Sequence, residues 1–231
     1  MSANPPLAAQ PEPAPAKPGA AHRYRWAIWG GVLAVGLAAA AGIAVVSRPH
    51  SSAAGGGTAI ATFAAGARPA PGFSLVDQHG KRFTLASLRG RPVIITFIDP
   101  LCRDFCPREA TVLTEAAAQL GSNAPAIVSV SVDPWADSRA NFAADAVHWH
   151  LAPGWRWGTG SYGELAPVWQ DYAVGVQVAK KTIAGITIRR ITHTGAAYLV
   201  DAAGNERALF LYPFSTADVV GAAKKVLTDQ P

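Results

Sequence analysis

The apolar positions of this chain fall into runs of two kinds, and their order predicts an α/β domain. Val93 to Ile98 is dense in β-branched side chains, with Thr96 its one polar member. A run this short and this apolar predicts a central strand covered on both faces. Ala126 to Val132 has the same character and ends in Asp133-Pro134. Between the two, Val112, Leu113, Ala116, Ala117 and Leu120 recur at helical spacing, with Pro107 suited to the first helical position and Gly121 to the stop. Ahead of the first run, residues 73–76 and 81–85 predict two strands joined by a Gly-containing turn. Beyond the second, helices are predicted from Ser138 to Trp149 and from Tyr162 to Tyr172, the latter interrupted by Pro167. The alternation from Val174 to Thr192 predicts a hairpin turning at Ala184-Gly185. Residues 196–201 and 206–212 read as an antiparallel pair around a turn, and 216–227 as a closing helix with Ser215 as its N-cap.

The order β-β, β-α-β-α, β-β-α gives a mixed sheet with helices on both faces, which is the thioredoxin-like arrangement. There are no internal repeats. The N-terminal part has a different pattern. Residues 1–25 are rich in Pro and Ala and predict a disordered tail. From Trp26 to Val46 no charged residue occurs, and at about 1.5 Å per residue that run spans a bilayer core. Trp26 and Trp29 stand where an interfacial aromatic belt belongs. Residues 47–67, with Gly55-Gly56-Gly57, read as a flexible linker, leaving 68–231 as the folded domain.

Charge orients this segment. Of the formal net charge of +5, much lies near the N-terminus, where Lys17, Arg23, Arg25 and Arg48 face the single acid Glu12. Lys17, Arg23 and Arg25 precede the apolar run, so the positive-inside bias predicts a single-pass anchor in the cytoplasmic membrane with its N-terminus in the cytoplasm. A cleaved secretory signal is the alternative. Both readings put the domain in the periplasm or another extracytoplasmic space. No Lys/Arg stripe with interleaved aromatics occurs, which argues against nucleic-acid binding.

The candidate chemistry lies in the only two cysteines, Cys102 and Cys106, between the first apolar strand and the first helix. Thiols at a helix N-terminus have lowered pKa, and a soft, ionisable pair suits either redox exchange or a thiophilic metal. If the helix begins at Pro107, Cys106 is its N-cap and the thiol that the helix dipole favours as thiolate. Three intervening residues let the sulfurs splay around a metal ion but do not forbid a disulfide, whose short loop would stabilise the fold little. A three-coordinate site needs one more ligand. His22, His50, His79, His148 and His150 read as surface residues. His193 stands immediately before the strand at 196, and in a thioredoxin-like sheet the loop there packs on the cysteine loop, so the topology makes it the candidate third ligand.

Four blocks resemble the SCO/SenC family of membrane-tethered, thioredoxin-like copper proteins. They are Phe73 to Gly80, Cys102-Arg103-Asp104-Phe105-Cys106-Pro107, Ser131-Val132-Asp133-Pro134 with Asp137, and His193 followed by Tyr198 to Asp201 and Gly204. The resemblance implies copper, as Cu(I) or Cu(II), bound by Cys102, Cys106 and His193. It implies delivery of copper to the dinuclear copper centre of cytochrome c oxidase subunit II, or maintenance of that centre's cysteines in reduced form. Asp133 would be a residue behind the ligands or a docking residue; as a strand-end residue before Pro134 it also reads as a plain turn former. Arg103 stands where the family usually has proline, and Ser138-Arg139 where Thr-Pro is common. The rival function is a thiol–disulfide oxidoreductase with Cys102 and Cys106 as its redox pair and no obligatory metal. Peroxide reduction ranks lowest, because Ile98 to Leu101 lacks the threonine expected before a peroxidatic cysteine.

Overall fold

The computed structural model describes residues 59–229. The predicted tail, the predicted span at 26–46 and most of the predicted linker lie outside the described residues. Among the described residues no helix is long and apolar enough to cross a membrane.

Ten strands and four α-helices follow one another: β1 (Ala61–Thr62), β2 (Ser74–Val76), β3 (Arg82–Thr84), β4 (Val93–Ile98), α1 (Phe105–Leu120), β5 (Ala126–Ser131), α2 (Arg139–His148), β6 (Arg156–Gly158), α3 (Tyr162–Asp171), β7 (Val176–Ile183), β8 (Ile186–His193), β9 (Ala196–Val200), β10 (Glu206–Leu211) and α4 (Thr216–Thr228). Six strands form one sheet in the order β1-β10-β9-β4-β5-β6. Strands β4, β5 and β6 run parallel, whereas β9, β10 and β1 each lie antiparallel to the preceding neighbour. The short pair β2-β3 and the long pair β7-β8 stand apart from this sheet. This is the expected thioredoxin-like layering.

Strand β4 is central because every one of its side chains is buried. Successive residues of a strand point to opposite faces, so β4 feeds two cores at once. Ile94 and Ile98 face a cluster built with Leu113 and Ala116 of α1 and Val219 and Ala223 of α4. Val93, Ile95 and Phe97 face a second cluster with Leu165 and Trp169 of α3 and with Leu75 and Phe83 of the β2-β3 hairpin. Thr96 points with the first group and donates its hydroxyl to the buried carboxyl of Glu109 on α1. Together these layers hold the end of β4 and the start of α1 rigidly beside each other.

The helix termini follow the sequence signals. Ser138 accepts the N–H of Asn141, and Ser161 and Ser215 form capping boxes with Glu164 and Asp218. Pro167 lies inside α3 without ending it. Three boundaries differ from expectation. α1 begins at Phe105 instead of Pro107, so Pro107 occupies the first turn, where a missing N–H still breaks no intrahelical bond. β6 is unpredicted: three residues long, it carries no periodicity, and it becomes a strand by pairing with β5. β1, in the stretch read as linker, likewise exists only through its pairing with β10.

Candidate metal and thiol site

The site grows out of the turn between β4 and α1. Asp99 accepts the Leu101 N–H through its side chain at 2.7 Å and the Cys102 N–H through its carbonyl at 3.0 Å, which closes the chain into a tight turn. Arg103 strengthens the turn from outside, donating to the carbonyls of Pro100 at 3.2 Å and Cys102 at 2.9 Å. Its guanidinium also lies 3.9 Å from the carboxylate of Asp145.

Asp104 occupies the N-cap position of α1 but makes no side-chain cap. The sulfur of Cys102 does that work, accepting the Cys106 N–H at 3.4 Å and a further N–H from Asp104. The first helical N–H groups have no carbonyl partners, and a thiolate placed there is stabilised by both hydrogen bonds and dipole. A hydrogen bond from Cys106 is the largest influence, and together these donors bring the Cys102 thiol down to about 6, against the opposing effect of burial. Cys106 moves in the other direction: its bond to Cys102 and its burial push its pKa up. This reverses the sequence expectation, in which Cys106 was the cap. The reason is the earlier helix start, which turns Cys106 inward among Ala110 and Leu113, fully buried. The pair is therefore asymmetric: a half-exposed thiolate and a buried thiol, both free of disulfide.

His193 comes from the far side. It is the last residue of β8, opposite Val176 of β7, so it sits on a strand end and not in the loop. Its Nε2 lies 3.5 Å from Cys106 Sγ. Its Nδ1 lies 3.2 Å from the Thr194 carbonyl, which can only accept, so Nδ1 carries the proton and Nε2 presents a lone pair to the thiol. Burial lowers the imidazole to about 4, against the Thr194 bond, which leaves it neutral around physiological pH. Phe105 braces the ring with centroids 4.8 Å apart.

Two residues of this arrangement escaped the sequence analysis. Phe105, between the cysteines, packs on both His193 and Tyr212. Gly195 lets the β8-β9 link pass this aromatic, since a Cβ there would stand 2.8 Å from the Phe105 ring and 2.9 Å from Tyr212. A third was also missed. Glu109 lies one turn beyond Cys106, with no solvent exposure and one carboxyl oxygen unpartnered. Burial raises it to about 8. Its signal was visible: a carboxyl on the apolar face of a helix, opposite the one polar residue of β4.

His79, His148 and His150 are exposed, and His22 and His50 lie outside the described residues. Asp133 forms the turn after β5, accepting the Trp135 N–H at 3.1 Å. It also lines the same groove as Cys102 and His193. Asp137, which accepts the Ser131 hydroxyl at 2.7 Å, is raised to about 7 by burial.

Chemically, two sulfurs and a bare imidazole nitrogen form a soft donor set suited to a thiophilic ion, while the asymmetric thiols alone suit disulfide exchange. Among the described residues no three His, Cys, Asp or Glu side chains are arranged as a ready-made metal cage. The three donors stand near one another instead: Cys106 bonds to Cys102, and its sulfur lies 3.5 Å from His193 Nε2.

Comparison with known proteins identifies the family. The SCO1/SenC family model matches residues 63–228. No curated protein matches the chain at a significant level. Among solved structures, yeast Sco1 shares 22% identity at a TM-score of 0.62, covering 70% of this chain and 99% of its own. Copper-bound ScoI of Arabidopsis thaliana shares 21% at 0.60, over 70% and 99%. Copper-bound ScoI of Bradyrhizobium japonicum shares 24% at 0.57, over 68% and 99%. At such identities the structural likeness speaks for the fold alone. The family model, reaching from just after β1 to the end of α4, goes further: this chain belongs to the SCO1/SenC family.

Proposed function

We propose that this chain is a membrane-anchored, extracytoplasmic copper carrier. Cys102, Cys106 and His193 hold the metal and pass it to the dinuclear copper site of cytochrome c oxidase subunit II, or the thiols keep that site's cysteines reduced. The observation that carries the reading is the orientation of His193. Its Nδ1 is committed to the Thr194 carbonyl, and its Nε2 faces a free thiol at 3.5 Å. A ring so held has the right tautomer and direction for a ligand. Two thiolates favour Cu(I), and the imidazole makes Cu(II) acceptable. The copper in the Arabidopsis and Bradyrhizobium relatives agrees with this donor set. The anchor rests on the uncharged run at 26–46 and the cations that precede it.

The test is His193→Ala in the full, reduced chain, with copper affinity measured by competition against a chelator. Affinity is expected to fall by at least about 100-fold, beyond what loss of an outer partner costs. Reduction of a model disulfide should persist. Undiminished affinity overturns the three-ligand assignment.

One observation favours a second reading, a thiol–disulfide oxidoreductase. The half-exposed Cys102 thiolate is placed to attack, and the buried Cys106 thiol to resolve the mixed disulfide. Rapid exchange by a reduced wild-type chain whose copper affinity is no higher than that of a small dithiol selects that reading.

A further inference from the structure

The hairpin that delivers His193 carries a feature that ligand placement does not need. From Val174 to Gly195 the chain contains Lys180, Lys181, Arg189 and Arg190 and no Asp or Glu. Among the described residues no carboxylate forms a salt bridge with any of the four. The register sets Lys180 directly opposite Arg189, and like charges across a strand pair destabilise it. Both lie against Trp135, with Arg189 4.8 Å and Lys180 6.0 Å from its ring centre. The opposite face of the hairpin carries Lys181 and Arg190 together with the exposed Ile183, Ile186 and Ile188, while Leu101 stands exposed on the cysteine loop.

Of these groups Arg189, Arg190, Ile188 and Leu101 line a groove of about 710 Å³, where they meet Cys102 and His193. Its carboxylates lie on the other wall: Asp99 and Asp133 are buried in their turns, and Asp104 is exposed at the start of α1. The groove thus has a basic, partly apolar arm on one side of the thiols.

We propose that the β7-β8 hairpin is a docking arm for an acidic protein surface that surrounds the partner's own thiol or metal-accepting site. This rests on the reading that the site exchanges metal or electrons with another protein, and it names the chemistry of that partner. A carboxylate-rich surface relieves the Lys180–Arg189 repulsion, and Ile188 and Leu101, which line the groove, supply the apolar contact that protein interfaces use. A phosphate polymer or an anionic membrane would satisfy the cations but has no use for adjacent thiols.

The test reads attack by the reduced full chain, in a neutral detergent, on three peptides of equal length. Each carries one cysteine as a mixed disulfide with thionitrobenzoate, and the peptides are Glu-rich, Gln-rich or Lys-rich. The Cys102 thiolate bonds to the peptide sulfur, the probe's S–S bond breaks, and thionitrobenzoate leaves with the electron pair, giving an absorbance signal. At low ionic strength the Glu-rich probe is expected to react about tenfold faster than the Gln-rich one, within the range of electrostatic steering. That ratio should fall toward one in salt, and should invert in favour of the Lys-rich probe in K180E/K181E/R189E/R190E. The all-Gln variant of the same four positions should bring it near one, and the wild-type salt titration gives the answer without any variant. A ratio near one in the wild type, or one unchanged by charge reversal, overturns the proposal. So does hairpin-dependent binding to phosphatidylglycerol vesicles with no preference for the Glu-rich peptide, which would make the arm a membrane contact. No copper enters this measurement, so loss of the copper reading leaves its outcome standing.

Discussion

The two walls of the groove are held in place by different means. Cys102 and Cys106 sit between a strand with all six residues buried and a helix whose inner face is packed against the sheet. His193 arrives on a hairpin that pairs with no strand of the main sheet and whose distal half lies in solvent. Its base is secured by Val176 and Ile191 on the second core, by the Thr194 N–H donating to the Gly175 carbonyl and by the Gly175 N–H donating to the Thr194 hydroxyl. Local stability follows buried contacts, so the sulfurs belong to the most stable part of the fold and the imidazole to a less stable one. A site built this way keeps its thiols fixed, while His193 stands where the packed base of the hairpin gives way to the exposed limb.

Stability measurements can break this comparison. Leu113→Ala, on the cysteine wall and fully buried, should destabilise the domain by about 3 kcal/mol in urea unfolding, the usual cost of such a cavity. A loss below about 1 kcal/mol would mean that the wall is not the rigid side.

Glu109 sharpens the same point through pH. Its folded pKa is about 8 against 4.5 for the free side chain, so the unfolded chain releases this proton first as pH rises. The buried neutral acid therefore loses stability between those two values, and below 4.5 both states are protonated and the effect vanishes. Between about pH 5 and pH 7 the loss is on the order of 2 kcal/mol, at 1.36 kcal/mol per unit. His193 works in the opposite direction, since its lowered pKa makes folding more favourable as pH rises from about 4 to 6.5. Glu109→Gln isolates the carboxyl: the urea midpoint should fall less between those pH values than in the wild type. Equal pH dependence in the two proteins would refute the buried neutral acid.

The smallest effect is expected on the limb. Ile186→Ala, at a position 68% exposed near the hairpin tip, should change stability by no more than about 0.5 kcal/mol. A cost comparable to that of Leu113→Ala would show the hairpin packed against something in solution.

Much of this was legible in the chain because the signals were local. The strand at 93–98, the helix that follows it and the hairpin at Ala184-Gly185 each announce themselves through composition and period, and each is present, the helix with an earlier start than expected. β6 and β1 did not, since they are too short for periodicity and take strand form only from a neighbour's hydrogen bonds. The meeting of His193 with Cys106 could be reached from topology, whereas the division of labour between the thiols could not. A two-residue shift in where α1 begins turned Cys106 from cap to core and handed the cap to Cys102. Helix starts are the part of a sequence reading with the widest tolerance. Here that tolerance decides which sulfur is ionised.

The alternation of β4 carries a consequence for chain length. One strand supplies Ile94, Thr96 and Ile98 to one core and Val93, Ile95 and Phe97 to the other, and its last residue leads directly into the cysteine turn. Deleting or inserting a single codon between Val93 and Ile98 would invert every downstream side chain of the strand, sending Thr96 away from Glu109 and an aromatic toward α1. Tolerance to such length changes therefore ends at Val93 and resumes only beyond α1, and within that interval the reading frame of burial and the placement of the thiols are one constraint.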